Sequence, residues 1–193
     1  MNQNTVVPLL IIDVQQAFHD PSWGNRNNPM FEANTARLIT TWEEADQPII
    51  YVQHVSQVPE SLFHFQRDGH LFQDFIRPRE QDTILTNQVN SASIGTNLQE
   101  LLEAYQAKSI IVTGLITNHC VETTARMAGN LGFGPIVVSD ATATFDRRSL
   151  SGSLIPADVI HDVSLANFNE EFATIQTTDE VIAMIQTKAV QAR

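Results

Sequence analysis

Residues 5–12, TVVPLLII, form an unbroken apolar run that ends in a carboxylate, Asp13. A strand with one wet face alternates apolar and polar residues; an unbroken run calls for a strand covered on both faces. Pro8 removes one ladder donor, which a place near the strand's start tolerates. IIYVQH (49–54), DTILT (82–86), SIIVTG (109–114), PIVVSD (135–140) and FATIQT (172–177) read as further short strands. Helical periods separate them. Phe31, Leu38, Ile39 and Trp42 follow Pro29, and Leu98, Leu101, Leu102 and Tyr105 mark one face of the next helix. A helix is expected from about Cys120 to Leu131, another with Ile155, Val159, Val163 and Ala166 in line, and a last one bearing Val181, Ile182 and Ile185. Thr96 with Gln99 has capping-box spacing, and Thr178 is placed to cap the last helix. Strand–helix repeats of this length predict parallel pairing with right-handed crossovers, hence a three-layer α/β/α sandwich in one domain over 1–193.

Ligand sites in such sheets lie outside the carboxyl ends of the strands, where the winding reverses. That rule selects Asp13, His54, Thr86-Asn87, Gly114 to Cys120, and Asp140. A thiol at a helix start meets unpaired N–H groups and the positive end of the dipole, which favour thiolate; a buried structural cysteine is the plain alternative. Asp13 could take that thiol's proton as substrate binds, although a carboxylate at a strand end also serves as a cap or turn former. His54 could orient a substrate. His119 beside Cys120 invites a Cys–His pair, but adjacent residues on a helix start point in different directions. From Val55 to Arg79 no period emerges, and a stretch this long implies a task. Its aromatics from Leu62 to Phe75, with Phe18 and Trp23, are expected to wall a pocket or meet another subunit.

Twenty-two acidic residues against 11 basic ones, a formal charge of -11, oppose a grip on nucleic acid or on anionic membranes. One cysteine makes no internal disulfide, which fits the cytoplasm. No apolar run is long enough for a bilayer, and no basic residue precedes the first one as in a signal peptide. QQAFHDPSWG after the first strand holds no G-x-G-x-x-G. Walker, H-E-x-x-H and G-x-S-x-G patterns are absent as well, so no cofactor and no metal are expected.

LLIIDVQQAF (9–18), NSASIGTNL (90–98), GLITNHCVETTARMAG (114–129), VVSDATATFD (137–146) and HDVSLANFNEEFATIQTTDEVI (161–182) occur in order with natural spacing. Through them the chain resembles the isochorismatase-like cysteine hydrolases, a group that includes nicotinamidases and N-carbamoyl-amide hydrolases. The resemblance implies a six-stranded parallel sheet in the order 3-2-1-4-5-6, a homodimer or larger homo-oligomer, and hydrolysis of a C–N bond in a small amide. It assigns Asp13 and Cys120 to the aspartate and cysteine of a catalytic trio. It also implies an oxyanion hole from a cis peptide at Ile116–Thr117 and the N–H of Cys120. Phe18, Trp23, His54, Ser91 and His119 become the expected pocket residues. The third member of the trio, a lysine four residues before Ser91, is Asn87 here, and the following Phe of that segment is Ser93. An amide brings no charge, so Asp13 and Cys120 should hold protons more tightly than in a lysine-bearing relative. Two outcomes stay open: an altered hydrolase, or a relative that has lost the chemistry and binds a small metabolite or a protein partner. Arg26, Arg67 or Arg147 could return a positive charge from a loop.

Overall fold

The computed structural model describes residues 6–191, so Thr5 of the first apolar run lies outside the described residues. With strands and helices numbered in chain order, the main sheet holds β1 (Leu9–Ile12), β2 (Ile49–His54), β3 (Thr83–Asn87), β4 (Ser109–Leu115), β5 (Gly134–Ala143) and β8 (Thr174–Gln176). All pairings are parallel and the order is β3-β2-β1-β4-β5-β8, as the resemblance implied. The helices are α1 (Phe31–Glu44), α2 (Leu98–Ala104), α3 (Glu122–Asn130), α4 (Ala157–Phe168) and α5 (Thr178–Gln191).

Successive side chains of a strand face opposite ways, and β1 shows what its unbroken run is for. Leu9 and Ile11 join Phe31, Leu38, Trp42, Val181 and Ile185 beneath α1 and α5. Leu10 and Ile12 join Leu98, Leu102, Ala125 and Ala128 beneath α2 and α3. The chain is therefore an α/β/α sandwich with β1 at its centre, each buried Leu, Ile, Val or Phe side chain contributing about 1.5–3 kcal/mol by leaving water. Because β1 pairs with β2 on one side and β4 on the other, the winding reverses between β1 and β4. Asp13 and the Cys120 turn both leave the sheet at that crevice.

Four local expectations are corrected. The fourth helix starts at Ala157, not Ile155, because Leu154–Ile155 (β7) pairs antiparallel with Arg147–Arg148 (β6). That helix also turns the opposite way: Val159 and Val163 are about half exposed while His161, Ser164 and Phe168 are buried. Thr96 accepts from the Leu98 N–H, but Gln99 reaches Glu103 and closes no capping box. The last helix has its box one residue early, between Thr177 and Glu180, because Thr178 is held by Asp140, which accepts from its N–H and hydroxyl at 2.7 and 2.8 Å. Asp140, a strand-end candidate from sequence, is thereby a structural cap.

Candidate active site

Asp13 is the first residue beyond β1, and its backbone adopts a left-handed turn (φ +51°) that Asp tolerates better than most residues. That turn sends the side chain inward, where it is 1% exposed and Oδ1 has no hydrogen-bond partner among the described residues. Burial pushes its carboxyl up to about 7, with Cys120 and the His54 backbone pulling it partly back. Across the crevice, Gly114 (φ +129°) lies against β1 so closely that a Cβ there would sit 2.0 Å from the Ile12 carbonyl oxygen. Only glycine permits β1 and β4 to meet at that point.

The cis peptide lies at Leu115–Ile116, one residue before the place the resemblance implied; Ile116 is extended (φ −103°, ψ 142°) and the turn begins at Thr117. Thr117–Val121 forms one wide π-type turn before α3, so Cys120 precedes the α-helix and does not open it. The N–H groups of His119 and Val121 both donate to Ile116 O, at 3.0 and 3.3 Å, while the N–H of Cys120 lies towards its own sulfur. Sγ points to Asn90 Oδ1, 3.9 Å away, and lies beside the Asp13 carboxyl. Burial first, then the charge of Asp13, pushes the thiol well above its ordinary range. A short wide turn does not offset those two effects, so the expected thiolate gives way to a thiol next to a base.

Asp13, Cys120 and Ile116 floor a cavity of about 110 Å³. Its walls are aromatic: Phe18, Trp23 and Phe63 pack with ring centroids 5.0–6.4 Å apart, and His54 meets Phe63 edge-on at 5.4 Å. Asn90 and His119 complete the lining. Of the expected pocket residues, Phe18, Trp23, His54 and His119 are among the lining. Phe63 belongs to the aromatic excursion from which pocket walls were expected, whereas Asn90, one residue before Ser91, went unnoticed. That excursion is tied down by buried Gln15, whose Nε2 donates to the carbonyls of His54 and His70 at 2.8 and 2.5 Å and whose Oε1 accepts from the His54 N–H. Ser91 does not line the cavity; its hydroxyl turns back to accept from the Ser93 N–H. Asn87 is also set back from it, 3% exposed and partnerless at both side-chain heteroatoms among the described residues, beside His54. His54 is held neutral, its pKa lowered by burial against the opposing Asn87 amide.

Of the three arginines, Arg26 is bound by Glu32 at 2.6 and 2.9 Å, and Arg67 is exposed. Arg147 reaches the site. Its guanidinium stands 5.7 Å from the Trp23 ring and 3.4 Å from His119 Nε2, and Nε is buried without a partner among the described residues. Burial lowers its pKa, and burial together with Arg147 keeps His119 neutral. Among the described residues no group of three His, Cys, Asp or Glu side chains is placed to hold a metal, and no helix is long and apolar enough to cross a membrane.

Residues 8–180 match the isochorismatase domain. The chain belongs to the isochorismatase family. It is 45% identical to the uncharacterized isochorismatase family protein YrdC of Bacillus subtilis, covering 90% of this chain and 93% of that one. It is 27% identical to Nicotinamidase 3 of Arabidopsis thaliana over 91% of this chain and 87% of that protein. A crystal structure of an isochorismatase-family protein from Chromobacterium violaceum superposes with a TM-score of 0.92 at 37% identity, covering 97% and 96% of the two chains. A Cys-hydrolase mechanism is consistent with this isochorismatase-family fold and its single buried cysteine.

Proposed function

We propose that the protein hydrolyses the C–N bond of a small amide through an acyl intermediate on Cys120, with Asp13 as acid and base. The observation that carries the reading is one small aromatic cavity whose floor holds both the only sulfur nucleophile and a buried carboxyl adjusted to about 7. The Asp13 carboxylate takes the thiol proton as Sγ attacks the carbonyl carbon. The Cys120 N–H, with the Ile116–Thr117 backbone, receives the developing oxyanion; the His119 N–H is already engaged by Ile116 O. Neutral Asp13 then protonates the leaving nitrogen as the C–N bond breaks. Water, deprotonated by Asp13, cleaves the thioester and releases the acid. A nicotinamidase among the relatives, named for an amide substrate, supports the reaction class.

The sign of the pH dependence follows from the base. Below about 7 Asp13 is protonated and cannot accept from the thiol, so kcat/KM is expected to rise with pH through about 7 and then level. A profile flat from pH 5 to 8 would remove Asp13 from the role.

Arg147 bears on the substrate. Arg147 is half-buried beside the cavity with its Nε buried and unpartnered among the described residues, and a partly desolvated cation so placed is stabilised when a ligand supplies an anion. Amides carrying a carboxylate are therefore expected to be preferred over neutral amides of equal size. Arg147→Gln should raise KM for the acidic substrates by about 10–100-fold, the worth of one charge-assisted hydrogen bond, and leave neutral ones unchanged. Equal effects on both classes would refute this.

Asn87 favours a second reading, a pocket that binds such a compound without turning it over, since no charge there assists the thiol. The same amide panel separates the two. Turnover by the protein as it stands supports the hydrolase, whereas turnover only after Asn87→Lys supports the binding pocket.

A further inference from the structure

Thr117 opens the turn that carries Cys120, and its hydroxyl lies 2.9 Å from His161 Nδ1. On the far side of that ring, Nε2 lies 3.0 Å from the carbonyl oxygen of Ser139 in β5. A carbonyl only accepts, so Nε2 carries the ring proton. Nδ1 of the neutral ring is then an acceptor, and the Thr117 hydroxyl donates to it. Desolvation holds the ring neutral against the pull of the Ser139 carbonyl and of Asp162 and Asp158. The anchor is itself fixed, since Ser139 O also accepts from Asn28 Nδ2 at 2.8 Å.

Packing alone does not account for this residue. α4 turns His161 inward, 6% exposed, on the face that also buries Ala157 and Phe168, and leaves Val159 and Val163 about half exposed on its outer side. Burial of that face accounts for the apolar residues on it but does not call for an imidazole between them. We propose that His161 is a positioning residue. By bridging Thr117 to β5 it sets the wide turn, and with it the direction of Sγ and of the Cys120 N–H that meets the oxyanion. The proposal rests on the hydrolase reading for its catalytic consequence, but the bridge itself does not.

His161→Leu removes both hydrogen bonds. It is expected to lower kcat by about 10–100-fold with little change in KM, the scale of a small misplacement of reacting groups. His161→Gln can accept from Thr117 and donate to Ser139 O, and should recover most of kcat. Thr117→Val should match His161→Leu, and the double variant should be no worse than either, because one bridge is lost in all three. Leu and Gln variants that lose stability alike while kcat stays at the wild-type level at temperatures well below their melting points would reduce His161 to a structural role and overturn the proposal. Two readouts do not depend on turnover. The ¹⁵N shifts of His161 should show Nε2 protonated and Nδ1 bare, and alkylation of Cys120 by iodoacetamide should change severalfold in His161→Leu. A protonated Nδ1, or an unchanged alkylation rate, would overturn the proposal. A wild-type protein that turns over no amide would count against the hydrolase reading, and those two readouts would still decide on His161.

Discussion

Cys120→Ser is expected to reduce amide turnover by on the order of 10⁴-fold or more, the scale on which losing a nucleophile acts. The hydroxyl that replaces the thiol is a weaker nucleophile, and its proton is harder to remove in the same buried site. Asp13→Asn should cost roughly 10²–10⁴-fold, the worth of a placed general base. Because the two groups act on one proton, the double variant should be scarcely worse than Cys120→Ser. Folding is expected to persist in both, since serine is nearly isosteric and asparagine removes a buried ionisable group. Single-turnover rates with circular dichroism as a control check both points. Turnover by Cys120→Ser within tenfold of the wild type would show that the sulfur does no chemistry.

Gly114→Ala is the second large effect, and it acts on the frame instead of the reaction. Ile12 and Gly114 are register partners in β1 and β4, and the added methyl would lie 2.0 Å from the Ile12 carbonyl oxygen and 2.7 Å from its nitrogen. Both obstacles are backbone, which no rotamer change can move, and φ of +129° is itself a conformation that alanine avoids. The two strands would have to part where Asp13 and the Cys120 turn leave the sheet. A loss of about 4 kcal/mol or more is expected, which for a chain of this size lowers the melting temperature by on the order of 10 °C, or prevents recovery of folded protein. Activity in whatever folds should fall as well. A variant melting within two or three degrees of the wild type would mean that the close approach of β1 and β4 is not obligatory.

Much of the frame was legible in the sequence because burial on both faces leaves a plain mark. TVVPLLII can serve only a central strand, and the carboxylate that ends it has to face something. Asp13, Cys120, His54, Phe18 and Trp23 followed from strand ends and the loops beside them, and His119 from the resemblance. The orientation of α4 was not legible. A periodicity argument counts Ile155, Val159, Val163 and Ala166 as the core face, and it has no term for an imidazole whose two nitrogens are both satisfied inside. Gln15 was missed for a related reason. What fixes it is long-range hydrogen bonding from the turn after β1 to the end of β2 and to the excursion, some 40–55 residues away, and such pairing leaves no local pattern. The thiol was misjudged because a dipole argument needs a helix beginning at the cysteine. The chain instead makes one wide turn, and burial next to Asp13 prevails there.

Intact-mass spectrometry of the protein quenched during turnover of a carboxylate-bearing amide tests the acyl route most directly. A mass increase equal to the acyl group, mapped to Cys120 and released by hydroxylamine as a thioester is, is the expected result. Acid product accumulating while Cys120 stays unmodified under single-turnover conditions, or an adduct carried by any other residue, would contradict it.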